Sequence, residues 1–485
     1  RCFAEHLVQL GLIPGDRVGI CLPNTIEFAI SFFGTLMAGG VVAAMNPLYP
    51  LPEWQYQTKI VAPKLLIGLK TRADELFELK NKSGSAHLIL VEVKTDQQLF
   101  PKVYDKVSYI PFEQCLLQSD ERILLPDVTA FSPAVLQFSG GTTGSPKAAL
   151  ALHCNVTVNI LQFSKWLTTL QQGQETFLTA IPLYHVYGMV IGLNVGIALG
   201  AAIVLVPDAR NLDNMLKLIQ EHKVTFFPGV PSMYQAINRH PKVLAGEINL
   251  GSIKACISGS APLLPETREQ FEKLTGGKLV EGYGLSEAPT ATHCNPIKGE
   301  NRNGSIGLPL PDVDCKIVDL EDDSKVMPPG ESGQLLIRSP QVMVGYFGSP
   351  SETSMALKDN WLYTGDIAKM DDDGYFYILG RLKELIKVNG LQVWPKEVEE
   401  VLVRHHKISE AAVAGVEDET TGEAVKAWVV MRDYAPLDLK DVQLFCRSSL
   451  AGYKIPKEIV VVEAIPKSPI GKVLRRELVN LESKK

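Results

Sequence analysis

Short apolar runs alternate with amphipathic segments up to about residue 300 of the chain. Buried strands are indicated by GDRVGICLP, VVAAMNP and PKLLIGL, and an amphipathic helix by TIEFAISFFGTLMAGG. The same order returns in AAIVLVP, NLDNMLKLIQEHK and VTFFPGV, and again in IKACISGSAPL and PETREQFEKLTG. Because strands that alternate with helices form parallel sheets covered by helices, the pattern predicts an α/β fold with two such layers.

The pattern changes near residue 304. The stretches GSIGLPLPDVDCKIVDL and GESGQLLIRSP have the short apolar runs and turn residues of a small β unit. Further along, KEVEEVLVRHHKI and DVQLFCRSSLAGYK are helical in pattern, whereas AAVAGVEDE and AVKAWVVMRD are typical of strands. We therefore expect a compact α+β domain at the C-terminal end.

The longest apolar run without charge spans residues 189–206 and is close to the length that crosses a bilayer. Glycines and Asn194 interrupt it, and its end, AAIVLVP, predicts a buried strand closed by Pro207. We therefore expect no transmembrane segment, which leaves only peripheral membrane contact open.

Composition and charge narrow the class of protein. The net charge of −6, without blocks of one sign, gives no electrostatic basis for binding nucleic acid. The eight cysteines form no CxxC pairs, which favours reduced thiols and a cytoplasmic location. The first residues, RCFAEHLVQLGLIPGDRV, begin within a helical pattern, so we expect further residues upstream.

The segment QFSGGTTGSPKAAL, residues 137–150, has the composition of a phosphate-binding loop. It differs from the Walker loop because Pro146 precedes the lysine and Ala148 follows it. VLQF before the loop and KAALAL after it are strand candidates, so the loop is predicted to join two strands. Backbone N–H groups, hydroxyls and Lys147 would then hold phosphate. Taken alone, the segment is equally consistent with a solvated turn.

Four further motifs follow in order along the chain. They are EGYGLSE at 281–287, YTGD at 363–366, GRLKELIKVNGLQ at 380–392 and PKSPIGK at 466–472. With the loop, they resemble the adenylate-forming acyl-CoA synthetases, the superfamily that includes 4-coumarate:CoA ligases, luciferases and adenylation domains. The resemblance covers essentially the whole chain.

The resemblance implies a reaction in two steps and a chain in two domains. A carboxylate would attack the α-phosphate of ATP to form an acyl-adenylate, and the thiol of coenzyme A would then displace AMP. An N-terminal domain, 1–382, would comprise two α/β subdomains and a β-barrel-like unit. A smaller mobile α+β domain, 383–485, would rotate about Lys383 between the two steps.

On the nucleotide side, the resemblance implies that Tyr283 stacks on adenine, that Ser286 binds the α-phosphate, and that Arg381 supports Asp366 at the ribose hydroxyls. Mg²⁺, which prefers hard oxygen ligands beside phosphates, would be bound by Ser139 and Glu287. The implied nucleotide-binding residues are Ser139, Gly140, Gly141, Thr142, Thr143, Gly144, Lys147, Gly259, Ser260, Ala261, Tyr283, Gly284, Ser286, Asp366, Arg381 and Lys383.

The resemblance also assigns catalytic roles. Lys472 would stabilise the charge that grows as the carboxylate approaches phosphorus. The alternative is a solvated lysine in a basic tail with Arg475 and Arg476. Lys387 and Gln392 would serve the thioester step, and His185 would lie beside the acyl carboxylate.

The acid is predicted to be a medium- or long-chain fatty acid, because AAMNPLYP, HKVTFFPGVPSMY and GGKLVEGYGLSEAP look most like the bacterial long-chain branch. An aryl acid is the alternative, since RLKELIKVNGLQVWPKEVEEVL resembles the 4-coumarate branch. A non-catalytic acyl- or nucleotide-binding member, a carrier protein as thiol acceptor, and a homodimer also remain open.

Overall fold

The computed structural model describes residues 1–93, 108–118, 123–139, 146–432, 438–468 and 471–482. These residues form two compact units. The first unit contains the described residues up to 314 together with 338–360, and the second contains the described residues of 315–337 and 361–485.

The β-strands range from two to eleven residues in length. They are β1 (Arg17–Cys21), β2 (Val41–Ala44), β3 (Leu65–Leu69), β4 (His87–Val91), β5 (Ile110–Pro111), β6 (Pro133–Ser139), β7 (Lys147–Leu152), β8 (Thr176–Thr179), β9 (Ala202–Leu205), β10 (Phe226–Gly229), β11 (Ala255–Ser258), β12 (Lys278–Leu285), β13 (Ala288–Cys294), β14 (Leu308–Pro309), β15 (Asp314–Val318), β16 (Ser332–Arg338), β17 (Gly345–Tyr346), β18 (Leu357–Lys358), β19 (Trp361–Met370), β20 (Phe376–Arg381), β21 (Ile386–Val388), β22 (Leu391–Val393), β23 (Ile408–Asp418), β24 (Gly422–Met431) and β25 (Glu458–Val461).

The α-helices are α1 (Cys2–Gln9), α2 (Ile26–Met37), α3 (Leu51–Val61), α4 (Ala73–Ser83), α5 (His153–Trp166), α6 (Val195–Ala198), α7 (Leu212–Glu221), α8 (Pro231–Arg239), α9 (Pro241–Leu244), α10 (Pro265–Thr275), α11 (Pro350–Ala356), α12 (Pro395–Leu402), α13 (Leu439–Arg447) and α14 (Arg475–Glu482). Short 3₁₀ turns occur at Lys70–Arg72, Phe112–Leu116, Leu382–Glu384 and Gly452–Lys454, and a stretch of π-helix at Gly188–Asn194.

The first sheet of the first unit has the strand order β17-β7-β6-β2-β1-β3-β4-β5. The strands from β6 to β5 are parallel, and β7 and β17 join antiparallel at one edge. Every residue of β2 and β3 is buried, as expected for parallel strands covered on both faces. Trp54, Leu66 and Leu76 lie in the core on one side of this sheet.

The second sheet of the first unit has the order β14-β13-β12-β11-β10-β8-β9. Its strands from β12 to β9 are parallel, so the two predicted α/β layers are confirmed. One detail of the prediction was wrong. AAIVLVP was expected to be a buried strand, but β9 is the edge strand of the sheet and its side chains are partly exposed. The preceding π-helix is the buried part of this apolar run.

None of the helices within the described ranges is long and apolar enough to cross a membrane.

The second unit contains two further sheets. Strands β15, β16, β19 and β20 form the predicted small β unit. Strands β21 to β24 form the other sheet, and β25 runs parallel to β24. Val398 of α12 and Val442 of α13 pack into the core of this sheet with Val413 and Val429. The predicted α/β fold with a separate α+β region at the C-terminal end is confirmed.

Candidate active site

The carboxyl ends of the parallel strands in the second sheet bring several predicted residues together. Strand β11 ends at Ser258, which pairs with Glu281 of β12, so Gly259 follows the carboxyl end of β11 and lies beside the middle of β12. The Gly259 N–H donates a hydrogen bond of 3.2 Å to the carbonyl of Gly229 at the end of β10. In open α/β sheets the ligand crevice lies beyond these strand ends. The predicted adenine-binding segment 259–261 therefore occupies the expected edge of the sheet.

Tyr187 lies directly behind this segment. A Cβ atom at residue 259 would lie 3.2 Å from the Tyr187 ring, a tight contact that favours glycine there. The Tyr187 hydroxyl donates to the carbonyl of Ile257 at 2.7 Å, and burial raises its pKa well above the ordinary value. The tyrosine is therefore a neutral, hydrogen-bonded wall. The sequence prediction missed it.

Tyr283 and Gly284 lie near the end of β12, where this strand pairs with β13. A Cβ atom at Gly284 would lie 1.6 Å from the carbonyl oxygen of Thr290, so only glycine fits. The ring of Tyr283 meets that of His293 edge-on at 5.9 Å. Burial lowers the pKa of His293 to about 3, so this histidine is neutral near pH 7. Tyr283 thus contacts an uncharged ring.

Ser286 and Glu287 form the turn between β12 and β13. One carboxylate oxygen of Glu287 accepts a hydrogen bond of 2.7 Å from the hydroxyl of Tyr346. Its backbone carbonyl accepts a second bond, of 2.8 Å, from the N–H of Met343. The predicted metal-binding carboxylate is therefore oriented by residues about sixty positions later in the sequence.

Ser139 and Lys147 are cross-strand partners at the ends of β6 and β7. The prediction that the phosphate-binding loop joins two strands is thereby confirmed. The remaining loop residues assigned to nucleotide binding lie outside the described residues; they are Gly140, Gly141, Thr142, Thr143 and Gly144.

A segment that the sequence prediction missed connects Lys147 with Glu287. We call residues 343–352 the bridging segment. Its strand β17 pairs with β7, so that Tyr346 lies opposite Ala149. The ammonium group of Lys147 lies 5.0 Å from the centre of the Tyr346 ring and forms an ion pair with the carboxylate of Glu352. Tyr346 therefore contacts both the candidate phosphate lysine and the candidate metal ligand.

His185 lies in the loop that follows β8. Its Nδ1 accepts a hydrogen bond of 3.2 Å from the backbone N–H of Tyr187, and its ring is only partly buried. The histidine thus lies in the same group of loops as the segment 259–261, although the structure does not test its predicted contact with an acyl carboxylate.

In the second unit, Asp366 and Arg381 are cross-strand partners on β19 and β20. The Nε of Arg381 lies 2.6 Å from a carboxylate oxygen of Asp366, whose side chain is only 3% exposed. The predicted ribose carboxylate and its supporting arginine are therefore in direct contact. The ion pair holds the nearly buried carboxylate in a defined orientation.

Lys472 interacts electrostatically with this pair. Burial lowers the pKa of Lys472, and the positive charge of Arg381 lowers it further, whereas Asp366 and Glu384 act in the opposite direction. The Lys472 N–H donates to the Ser468 hydroxyl at 3.1 Å, which closes the turn that carries it. Lys472 and the candidate ribose carboxylate Asp366, more than a hundred residues apart in sequence, belong to the same unit and interact electrostatically.

Arg475 anchors the chain just after Lys472. Its guanidinium binds Glu384 at 2.9 Å and both carboxylate oxygens of Glu399 at 2.9 Å. Glu399 also accepts a bond of 2.8 Å from the N–H of Val413. Burial raises the pKa of Glu399, and Arg475 opposes that rise. A solvated basic tail, the alternative weighed for this region, does not describe these contacts.

Lys387 and Gln392 face each other across the β21–β22 hairpin. The turn is formed by Asn389 and Gly390, both at positive φ (50° and 79°), as the Asn-Gly sequence predicts for a two-residue hairpin. Strand alternation buries Ile386 and exposes Lys387 and Gln392. Lys383, in the 3₁₀ turn Leu382–Glu384, is also exposed.

Comparison with known proteins identifies the class. Residues 1–347 match the model of the AMP-binding enzyme family, and residues 397–472 match that of the AMP-binding enzyme C-terminal domain. The chain belongs to the AMP-binding enzyme family, the adenylate-forming class that its motifs resemble.

Individual relatives are similar along nearly the whole chain. The long-chain-fatty-acid–CoA ligase of Bacillus subtilis (strain 168) is 40% identical over 99% of this chain and 88% of its own length. The Arabidopsis thaliana protein 4-coumarate–CoA ligase-like 6 is 34% identical, over 97% of this chain and 82% of its own. The crystal structure of the anthranilate CoA ligase AuaEII with anthranoyl-AMP has a TM-score of 0.88 at 26% identity, covering 100% of this chain and 91% of that one.

The Arg475 contacts generate a stability prediction. Arg475→Met should leave the buried Glu399 without its partner, which costs about 2–3 kcal/mol for a pair at this partial exposure. The two side chains are 19% and 14% exposed. Hydrogen exchange should therefore show weaker protection of the Val413 amide and of α12. Arg447→Met, at an exposed arginine of α13, is the matched control and should stay within about 0.5 kcal/mol of the parent. Unchanged protection in Arg475→Met would show that the network contributes no stability.

Proposed function

We propose that this protein is an ATP-dependent acid–thiol ligase that converts a medium- or long-chain fatty acid to its coenzyme A thioester. The reaction passes through an acyl-adenylate and releases AMP and pyrophosphate. The observation that carries the proposal is the Asp366–Arg381 ion pair, with which Lys472 interacts electrostatically. A lysine beside a ribose-binding carboxylate would lie near the α-phosphate of the same nucleotide.

The chemistry explains why adenylate formation is needed. A carboxylate is a poor acyl donor, because the group that would leave is oxide. Attack of a carboxylate oxygen on the α-phosphorus forms a C–O–P bond and breaks the bond to the β-phosphate, so pyrophosphate leaves. The thiolate of coenzyme A then attacks the acyl carbon, and the electron pair of the broken C–O bond leaves with AMP.

Each nucleotide group has a matching set of residues in this proposal. The carboxylate of Asp366 accepts hydrogen bonds from the ribose hydroxyls, and Arg381 orients it. Tyr283 and the segment 259–261 bind adenine, with Gly284 allowing the backbone to pass closely. Ser286 binds the α-phosphate. Lys147, with the hydroxyls and N–H groups of the loop that begins at Ser139, binds the β- and γ-phosphates.

A metal ion is part of the same proposal. Within the part of the chain that the structure describes, no three His, Cys, Asp or Glu side chains gather into a metal-binding group. The single carboxylate of Glu287 nevertheless fits Mg²⁺, which commonly binds through one or two carboxylates together with substrate phosphates. Ser139 is the second candidate ligand. The ion would neutralise negative charge on the phosphate oxygens, while Tyr346 orients the carboxylate.

The second step is assigned to the β21–β22 hairpin of the C-terminal region. Lys387 and Gln392 project from one hairpin and would position the thiol of coenzyme A. Lys383 would act as the hinge between an N-terminal domain, 1–382, and a C-terminal domain, 383–485. Rotation about it would replace Lys472 by the hairpin, so that one pocket serves both steps.

The fatty-acid assignment rests on the relatives and on the walls proposed for the acyl site. The chain is more similar to the bacterial long-chain ligase than to the 4-coumarate-ligase-like protein, at 40% against 34% identity. The proposed walls, residues 184–195 and 226–234, pack against each other and are mostly apolar. His185 would lie at the carboxylate end. An aryl acid is the second candidate.

The central test is an assay of products. With the correct acid, labelled ATP should yield AMP and pyrophosphate, and coenzyme A should be consumed in equal amount. Each methylene buried along an apolar wall should improve kcat/KM roughly fourfold until the wall ends, from about 0.8 kcal/mol per methylene. Formation of ADP would contradict the mechanism. A preference for cinnamic over fatty acids would select the alternative substrate.

Replacement of Lys472 tests the first step separately from the second. Lys472→Ala should lower the rate of adenylate formation roughly 10²–10³-fold, the usual effect of removing one group that stabilises transition-state charge. Thiolation of supplied acyl-adenylate should be little affected, since that step would use the hairpin. Equal loss in both half-reactions would contradict the assigned role.

The pH dependence provides the control for Lys472. Only protonated lysine carries charge, and its pKa in the folded protein is lowered. The adenylation rate should therefore fall as pH rises, starting below the pH at which an ordinary lysine titrates. Lys472→Arg keeps its charge throughout this range. The adenylation rate of the Lys472→Arg variant should not fall over this pH range, even if that rate is lower than the parent's at every pH.

Replacement of the hairpin side chains tests the thioester step. Lys387→Ala and Gln392→Ala should slow thiolation of supplied acyl-adenylate roughly 10–100-fold, because a misplaced thiol loses the benefit of orientation. Pyrophosphate release in the first step should be retained. Lys440→Ala, at an exposed lysine of α13, is the control and should affect neither step. A normal thiolation rate in both hairpin variants would contradict the proposal.

A further inference from the structure

The ion pair between Lys147 and Glu352 has no place in the reaction described so far. Lys147 is assigned to the β- and γ-phosphates, but in this structure its ammonium group is paired with a carboxylate. The two side chains are 29% and 38% exposed, so ions and ligands in solvent can reach both. A carboxylate therefore occupies the position that an anionic phosphate oxygen would need.

Main-chain hydrogen bonds within the first unit hold the two segments that carry Lys147 and Glu352 next to each other. Strand β7 begins at Lys147, and its neighbour β17 is held by a bond of 2.8 Å from the Phe347 N–H to the Ala148 carbonyl. The chain then turns directly into α11, which carries Glu352. The lysine and the carboxylate are thus presented by two segments that are hydrogen-bonded to each other.

The start of α11 is also tied to β17. The hydroxyl of Thr353 accepts a bond of 2.9 Å from the Tyr346 N–H and donates one of 2.9 Å to the Ser349 carbonyl. Gly345 leaves the space that this contact needs, because a Cβ atom there would lie 2.5 Å from the Thr353 methyl group. Glu352, next to Thr353, is therefore held at a defined position relative to Lys147.

Bound phosphate changes the electrostatics of this pair. The single ammonium group of Lys147 cannot form a full ion pair with a carboxylate and with a polyphosphate at the same time. If Lys147 turns to the phosphate, Glu352 loses its counter-ion and lies a few ångströms from a polyanion. If Lys147 stays with Glu352, the phosphate loses its strongest partner. In either arrangement the carboxylate raises the free energy of bound triphosphate and pyrophosphate.

We propose that Glu352 is an internal counter-ion that competes with phosphate for Lys147 and so weakens the binding of pyrophosphate enough for it to leave. The inference rests on the proposed function for its meaning, because pyrophosphate is the leaving group of the adenylation step. Glu352 acts through Lys147 and is a positioning residue; it does not contact the reacting atoms.

The test is the binding of inorganic pyrophosphate, with MgCl₂ present, to the full chain in the absence of acid. Glu352→Gln removes the charge and keeps the size of the side chain. Its dissociation constant for pyrophosphate should be about 5–30-fold lower than that of the parent protein, the usual size of an electrostatic coupling between sites. KM for ATP should fall in the same direction, and kcat should fall where pyrophosphate release limits turnover. Glu352→Asp, which retains the charge, should behave more like the parent.

Two controls make the result specific. Glu78→Gln removes a carboxylate from the exposed Lys82–Glu78 pair on α4 of the same unit and should leave pyrophosphate affinity unchanged. Thermal unfolding checks that each variant is folded. If Glu352→Gln does not fold, Glu352→Ala is measured in its place and should likewise bind pyrophosphate more tightly than the parent protein. Pyrophosphate affinity equal to or weaker than that of the parent protein overturns the inference.

The outcomes also separate this inference from the proposed function. Absence of AMP formation by the parent protein with every acid would refute the function, whatever Glu352→Gln binds. An active parent protein, together with unchanged pyrophosphate affinity in Glu352→Gln, would refute only the role of Glu352.

Discussion

The antiparallel pairing of β7 with β17 is the constraint on which the candidate nucleotide site depends. It brings the bridging segment, residues 343–352, beside a strand that begins about two hundred positions earlier. Through that pairing, Tyr346 contacts both Lys147 and Glu287. A slip of one residue would turn the tyrosine to the opposite face of the sheet, because side chains alternate along a strand. Local register therefore determines which charges meet.

A comparable constraint operates in the second unit, but there it is ionic. Lys472 is carried on a turn, and a turn alone would not hold a lysine whose pKa is lowered by burial. The chain after the turn is held by the fork of hydrogen bonds from Arg475 to Glu399 and by its bond to Glu384. Removing a charged group from water is unfavourable unless its partners are in place. The arginine therefore contributes to the position of the lysine through Glu384 and Glu399.

Sequence patterns predicted the parts of the structure that local rules determine. Continuous apolar runs such as β2 and β3 identified the buried parallel strands, and the Asn389–Gly390 turn follows from the backbone preferences of those two residues. The prediction for β9 was wrong because apolar composition does not reveal whether a strand has one neighbour or two.

Tyr346 and Glu352 were missed for a related reason. Their partners are chosen by long-range register, which no local motif encodes. Arg475 was weighed as part of a basic tail because Glu384 and Glu399 are distant in sequence.

Lys472 and Lys147, the two lysines proposed to act on the phosphates, differ in the charged groups that interact with them. Lys472 is partly buried and interacts electrostatically with the Asp366–Arg381 ion pair, so that a charge that forms during reaction would be met by a group that is already oriented. Lys147 is partly exposed and has a carboxylate partner before any nucleotide arrives. A group that stabilises a transition state gains from being fixed, whereas a group that holds a leaving group must also release it. Binding that favours bound product as strongly as the transition state would slow turnover. The Asp366–Arg381 ion pair near Lys472 and the Glu352 carboxylate paired with Lys147 match this division of tasks.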